Sequence, residues 1–269
     1  MKINGFDFNF QPSLSLTLQE FPSTIRMAIM CFFAFPGMLW EATWEKSEWK
    51  HPIVFVPGFG AHDATTLPFR IQAWWRHHHP ISSGLGVNLG VDDDVAAVFF
   101  RNMVRSFNYH KRPMIFVGHS LGGAISNVFA HRYPEMCHMV FTLASPHKIP
   151  KGNVLVKKLI EMISGTEHLR NNRLQAMIEN PSSVPTVAFT ATNDGFLPSD
   201  CTRVKETDHS RNIEVPGSHC GLIISPVVWR EIFASIQEPG ISYEEKMEKK
   251  RNFVKKFGLQ KSDYDWAWC

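Results

Sequence analysis

Ser120 sits in Gly118-His119-Ser120-Leu121-Gly122, with a glycine two residues before it and another two residues after. A serine that projects its hydroxyl from a sharp strand-to-helix turn needs this G-x-S-x-G spacing, because a Cβ at either glycine would meet facing backbone. The hydroxyl is a weak nucleophile until a base takes its proton, and the base in turn needs a carboxylate to hold its imidazole in one tautomer. Asp194 and His219 each stand just past an apolar run, in the order serine, acid, histidine. The pattern points to attack on an acyl carbon. Thirteen histidines compete for the role of base. His147 is the second candidate, and His77-His78-His79 read as surface residues whose adjacent side chains do not converge on one metal. Asp200, then Asp208, are the alternative acids.

The oxyanion formed in such an attack needs two backbone donors, one from the residue after the nucleophile and one from a loop after an early strand. Leu121 N–H is the first. Phe59 N–H, between the glycines of Pro57-Gly58-Phe59-Gly60, is placed to be the second.

These residues need a frame. Pro52 to Val56 is apolar throughout and reads as a strand buried on both faces, which suggests a parallel sheet. A helix is expected over Thr66 to Arg76, a short strand near Pro80 to Ser82, and an amphipathic helix after Asp92-Asp93-Asp94, with Val95, Val98, Phe99, Met103 and Phe107 on one face. Strand Met114 to Val117, the turn at Ser120 and a helix over Ala124 to Arg132 follow, then strands Met139 to Ala144, Pro185 to Ala191 and Ile213 to Val215. Alternating strands and helices predict a doubly wound, mostly parallel α/β sheet flanked by helices. Residues 148–184 read as a small helical cap inserted into a domain spanning 51–238, preceded by an apolar helix and connector in 1–50 and followed by a charged helix and aromatic tail in 239–269.

With Ser145-Pro146-His147, Asp194-Gly195-Phe196-Leu197-Pro198 and Gly217-Ser218-His219 added to the elbow and the Pro57-Gly58 loop, the chain resembles the α/β-hydrolase superfamily, in particular its lipase-like serine esterases. It is also similar to a bacterial branch that carries an apolar N-terminal helix and a Gly-Leu-Gly-x-Asn-Leu-Gly loop, here Gly84 to Gly90. The resemblance covers about residues 12–238. It implies a cofactor-free enzyme with Ser120 as nucleophile, His219 as base and Asp194 as acid. Lys148-Ile149 departs from it, since lipases usually carry glycine after Ser-Pro-His.

The wider composition narrows the partners. The 28 basic residues among 269 are interleaved with 25 acidic ones, so nucleic acid is not expected. The Gly84-x-Gly86 loop misses the dinucleotide spacing, and no cofactor or metal is expected. Five cysteines without a C-x-x-C pair suit a reducing compartment, and Cys201 and Cys220 read as free packing residues. No secretory signal opens the chain, so a cytoplasmic location is expected. The uncharged run between Arg26 and Glu41 is shorter than the roughly 20 residues that span a bilayer. Pro36-Gly37 is expected to end or kink it, leaving a helix that packs on the domain or touches a membrane peripherally. The expected substrate is a small-molecule ester or acyl compound. An acyltransferase using the same three residues, or a non-catalytic binding scaffold, are the alternatives.

Overall fold

Pro52-Ile53-Val54-Phe55-Val56 carries no polar side chain because both its faces are covered. The computed structural model describes residues 2–3, 6–7, 14–44, 51–90, 93–148 and 172–236. In chain order they form β1 (Lys2–Ile3), β2 (Phe6–Asp7), α1 (Leu14–Trp44), β3 (Pro52–Val56), α2 (Leu67–Trp75), β4 (His79–Ser82) and α3 (Asp93–His110). Then come β5 (Met114–His119), α4 (Leu121–Arg132), β6 (Cys137–Leu143), α5 (Asn172–Glu179), β7 (Thr186–Ala191), β8 (Ser210–Val215) and α6 (Pro226–Ile236). β1 and β2 pair antiparallel with each other.

Among the described residues, six strands form one sheet in the order β4-β3-β5-β6-β7-β8, and every pairing is parallel. Side chains alternate across it. Val54, Val56, Phe116 and Val140 face α3, α4 and α5, meeting Phe99, Ile125 and Ile178. Ile53, Phe55, Ile115, Val117, Phe141 and Phe189 face α1, α2 and α6, meeting Met38, Phe69, Trp229 and Phe233. Each such fully buried side chain contributes about 1.5–3 kcal/mol, so the two-faced core accounts for the sheet's rigidity. From β3 the chain crosses to β4 on one side, and from β5 onward it progresses to the other. The crevice between the carboxyl ends of β3 and β5 is therefore the switch point where doubly wound sheets hold their ligands.

The predicted strands and helices are present with shifted ends. α4 starts at Leu121 rather than Ala124, because the turn at Ser120 feeds straight into it. β8 starts at Ser210 rather than Ile213, since an edge strand is less covered than the central ones and tolerates exposed Arg211 and half-buried Asn212 on opposite faces. Two expectations about the N-terminus are corrected. α1 is a 31-residue helix that continues through Pro22, Pro36 and Gly37 to Trp44, and its apolar part, Ser15–Trp40, has the length and composition to cross a membrane. An interior proline costs about 3 kcal/mol, yet here one face of the helix packs against α2, α6 and the turn at 220–224, which offsets the loss. The last part of the expected cap, α5, packs on α4, where Asn127 Nδ2 donates to Met177 O at 2.9 Å. The rest of the cap, 149–171, and the expected tail, 239–269, lie outside the described residues.

Candidate active site

Ser120 holds φ 50° and ψ −120°, a left-handed conformation that costs a side-chain-bearing residue about 1–3 kcal/mol. The strain is held by what surrounds it. Ser120 N–H donates to Leu143 O at 2.8 Å, and α4 closes on the turn through Gly123 N–H to Ser120 O at 3.0 Å. The two motif glycines are where backbones touch: a Cβ on Gly118 would lie 2.4 Å from Gly122 O, and one on Gly122 would lie 2.3 Å from Val56 O. The elbow is therefore wedged directly against the end of β3.

Past the end of β7, the Asp194 carboxylate makes three hydrogen bonds. Its Oδ1 accepts from Phe196 N–H at 2.9 Å and Leu197 N–H at 2.7 Å, and its Oδ2 bonds His219 Nδ1 at 2.8 Å. Both side chains are buried. A carboxylate on Nδ1 fixes the tautomer in which Nε2 is the proton acceptor. The His219 ring meets Phe196 edge-on at 5.3 Å and tilts against His119 at 5.0 Å. His119 is the residue before Ser120, and its Nε2 donates to His219 O at 3.0 Å, which ties the base loop to the elbow. Burial, helped by the neighbouring His219 ring, lowers the His119 pKa to about 4, so it is neutral at pH 7 and serves as a donor.

Leu121 is the first residue of α4, where a helix N–H has no carbonyl one turn behind it to bond. The loop bearing Phe59 runs beside Ser120: a Cβ on Gly58 would lie 3.3 Å from Ser120 Cβ. That loop is pinned by a segment the sequence left without a role. Asn88 accepts Gly60 N–H on its backbone carbonyl at 2.7 Å and donates through Nδ2 to Pro57 O at 2.7 Å. The Gly84 to Gly90 loop is held in turn by the buried Asp63 carboxylate, which accepts from Ser83 N–H at 3.1 Å, Ser83 Oγ at 2.7 Å, and the N–H groups of Gly84 and Gly86, each at 3.2 Å. The glycine spacing that failed as a dinucleotide motif is a brace.

The alternatives lie elsewhere. Asp200 and Asp208 are exposed. His147 is buried beyond the end of β6, where its Nε2 bonds Thr142 Oγ1 at 2.8 Å. His77 and His79 are exposed while His78 is buried, and among the described residues no group of three His, Cys, Asp or Glu is arranged to hold a metal. Cys201 and Cys220 are free thiols. Burial first and nearby carboxylates second push both up to about 11, so neither is a thiolate at neutral pH.

Sequence reasoning missed Glu20. This carboxylate on α1 is buried and reaches the loops of both Asp194 and His219. Its signal was faint: a lone acid on the helix face that also carries Met27, Cys31 and Met38.

No family model matches the sequence, and comparison with curated proteins finds no match. Solved structures do match in shape. A Bacillus licheniformis lipase in its mature form is 15% identical with a TM-score of 0.51, covering 71% of this chain and 93% of that one. A lipase B from Aspergillus fumigatus is 13% identical with a TM-score of 0.54, covering 77% of this chain and 61% of that one. The chain has the α/β-hydrolase fold. A metagenome-derived lipolytic enzyme shares this α/β-hydrolase architecture at 10% identity and a TM-score of 0.51, covering 71% of this chain and 94% of that one. In doubly wound sheets ligands sit at the switch point, so the crevice above β3 and β5, with Ser120 just past the end of β5, is the candidate ligand site.

Proposed function

We propose that the protein is a serine hydrolase that cleaves carboxylic esters through an acyl-enzyme, with Ser120, His219 and Asp194 as its triad. Ser120 Oγ forms a bond to the ester carbonyl carbon while His219 Nε2 takes the hydroxyl proton. The carbonyl π electrons move to oxygen, which the N–H groups of Leu121 and Phe59 hold. The C–O bond to the alcohol then breaks, and the alcohol leaves with the proton from His219. Water repeats the sequence on the acyl-serine and releases the acid.

The observation that carries this reading is the 2.8 Å bond from buried Asp194 to a histidine whose backbone is bonded to the residue preceding a strained serine. Labelling by a fluorophosphonate probe tests it. Covalent modification at Ser120, absent from the Ser120→Ala variant, is expected, and an unlabelled wild-type protein refutes it. Product analysis with an added alcohol separates hydrolysis from transfer: a new ester outgrowing the free acid would redirect the reading to an acyltransferase.

For location, we propose that α1 lies along a lipid surface. Its inner face is bound to the domain from Glu20 to Met38, so the helix cannot leave to cross a bilayer without breaking those contacts. Its outer face shows an apolar stripe of Leu18, Phe21, Ile25, Ile29, Phe32 and Phe33, all exposed. A helix with one face on the protein and an apolar face outward fits an interfacial position, close to acyl substrates dissolved in lipid.

A further inference from the structure

A carboxylate buried in an apolar helix face is expensive unless something needs it there. Glu20 is 4% exposed, and its partners are backbone amides from two loops. Oε1 accepts from Gly195 N–H at 2.6 Å and from His219 N–H at 2.9 Å, and Oε2 accepts from Cys220 N–H at 3.3 Å. One helical turn earlier, Thr17 Oγ1 donates to Gly195 O at 2.8 Å. Gly195 follows Asp194, and Cys220 follows His219, so one side chain bridges the ends of β7 and β8 at the two residues whose separation sets the acid–base hydrogen bond. The approach is close: a Cβ on Gly195 would lie 2.6 Å from both Glu20 Cγ and Leu16 O. Gly195 is the residue that lets the helix sit there.

We infer that Glu20 is a positioning residue for the reaction, clamping the loops of Asp194 and His219 from α1. The inference rests on the triad reading above. Charge-assisted bonds to backbone are about twice as strong as neutral ones, and the geometry they hold matters because a misplacement of about 1 Å in a catalytic group costs on the order of a hundredfold in rate. α1 is on this account part of the active site, acting through the loop backbone that Glu20 holds.

Three variants in the full-length protein test the clamp. Glu20→Gln keeps an oxygen at the same reach for Gly195 and His219; Glu20→Asp keeps the charge but withdraws it by one methylene; Glu20→Ala removes both. For a short p-nitrophenyl ester, kcat is expected to fall about tenfold or more in Glu20→Ala and Glu20→Asp, with KM within about twofold, while Glu20→Gln keeps about a third of kcat or better. The rate of fluorophosphonate labelling at Ser120 should rank the same way. A role confined to holding the fold would lower melting temperature and leave the kcat of folded protein unchanged. That result, or wild-type kcat in Glu20→Asp, overturns the clamp. If Glu20→Ala does not fold, the Gln and Asp variants decide alone. Wild-type protein that is not labelled at Ser120 overturns the triad reading, and the clamp with it; labelled wild type with three equally fast variants overturns the clamp only.

Discussion

At the residue scale, the arrangement around His219 makes sharp demands. Ser120→Ala removes only the attacking oxygen, so ester turnover should fall to background with the melting temperature little changed. His219→Ala should be about as inactive, and the double variant no slower than either, because the two act as one unit; a markedly slower double variant would show them to be independent. Asp194→Asn should lower kcat by orders of magnitude, since an amide stabilises no imidazolium and favours the wrong tautomer. Exposed Asp200→Asn should be nearly silent, and the reverse ranking would move the acid to Asp200. Buried histidines also set a pH limit on stability. Burial lowers the pKa values of His78, His119 and His147 from 6.5 to about 4 in the folded chain. In the window from about 6.5 down to about 4 the unfolded chain binds more protons, so stability is whole above that window and drains as pH falls through it. Urea midpoints should therefore drop between neutral pH and about 5. A flat profile would mean these rings charge without cost.

At the element scale, the loop carrying Phe59 depends on contacts from a segment with no chemistry of its own. Asn88→Ala strips Pro57 O of its donor and leaves Gly90 N–H without the Asn88 Oδ1 that it meets at 3.2 Å. Leaving the buried Pro57 O unpaired costs about 1–3 kcal/mol in stability. If Phe59 N–H holds the oxyanion, kcat should fall about tenfold with KM nearly constant, as expected of a donor used in the transition state. Unchanged kcat in a folded Asn88→Ala protein would remove Phe59 from that role. Two glycines of the same region should behave differently. An added Cβ at Gly122 meets backbone oxygens of Val56 and Pro57 at 2.3 and 2.5 Å, and neither strand nor helix can yield, so Gly122→Ala should not fold. Gly60 has φ +72° but open space, so Gly60→Ala should cost only about 1–2 kcal/mol of left-handed strain. Soluble expression and thermal melts of the two variants distinguish these cases.

For the whole molecule, α1 joins an exposed apolar stripe, which we propose lies on lipid, to the loops of the candidate triad. Full-length protein should float with phospholipid vesicles, and replacing Phe21, Phe32 and Phe33 together by serine should abolish flotation while leaving hydrolysis of a soluble ester intact, because those rings are 76%, 75% and 76% exposed. Persistent flotation of the triple variant would put lipid contact elsewhere. Deleting residues 1–40 is a different perturbation. It removes Glu20 together with Cys31 and Met38, which cover the core near Phe69 and Trp229, so aggregation or loss of activity is expected, and a soluble, fully active truncation would show that the helix serves only as an anchor.

What the sequence by itself determined is local or periodic. The elbow was legible because its steric requirement falls within five consecutive residues, and the central strands because a two-faced core permits no polar residue along Pro52 to Val56 or Met114 to Val117. Asp194 and His219 could be chosen because each stands just past the end of a strand, β7 and β8 respectively. The tertiary structure decided the rest by bringing distant segments together. Glu20 meets partners 175, 199 and 200 residues away, and no local pattern encodes a contact whose other half is backbone. Asn88 reaches back 31 residues to Pro57 O, so its loop looked like a failed phosphate motif. The length of α1 was misjudged for the same reason. Proline and charge are read locally as helix ends, whereas the packing of Cys31 and Met38 on the sheet's helical layer carries the helix through Pro36.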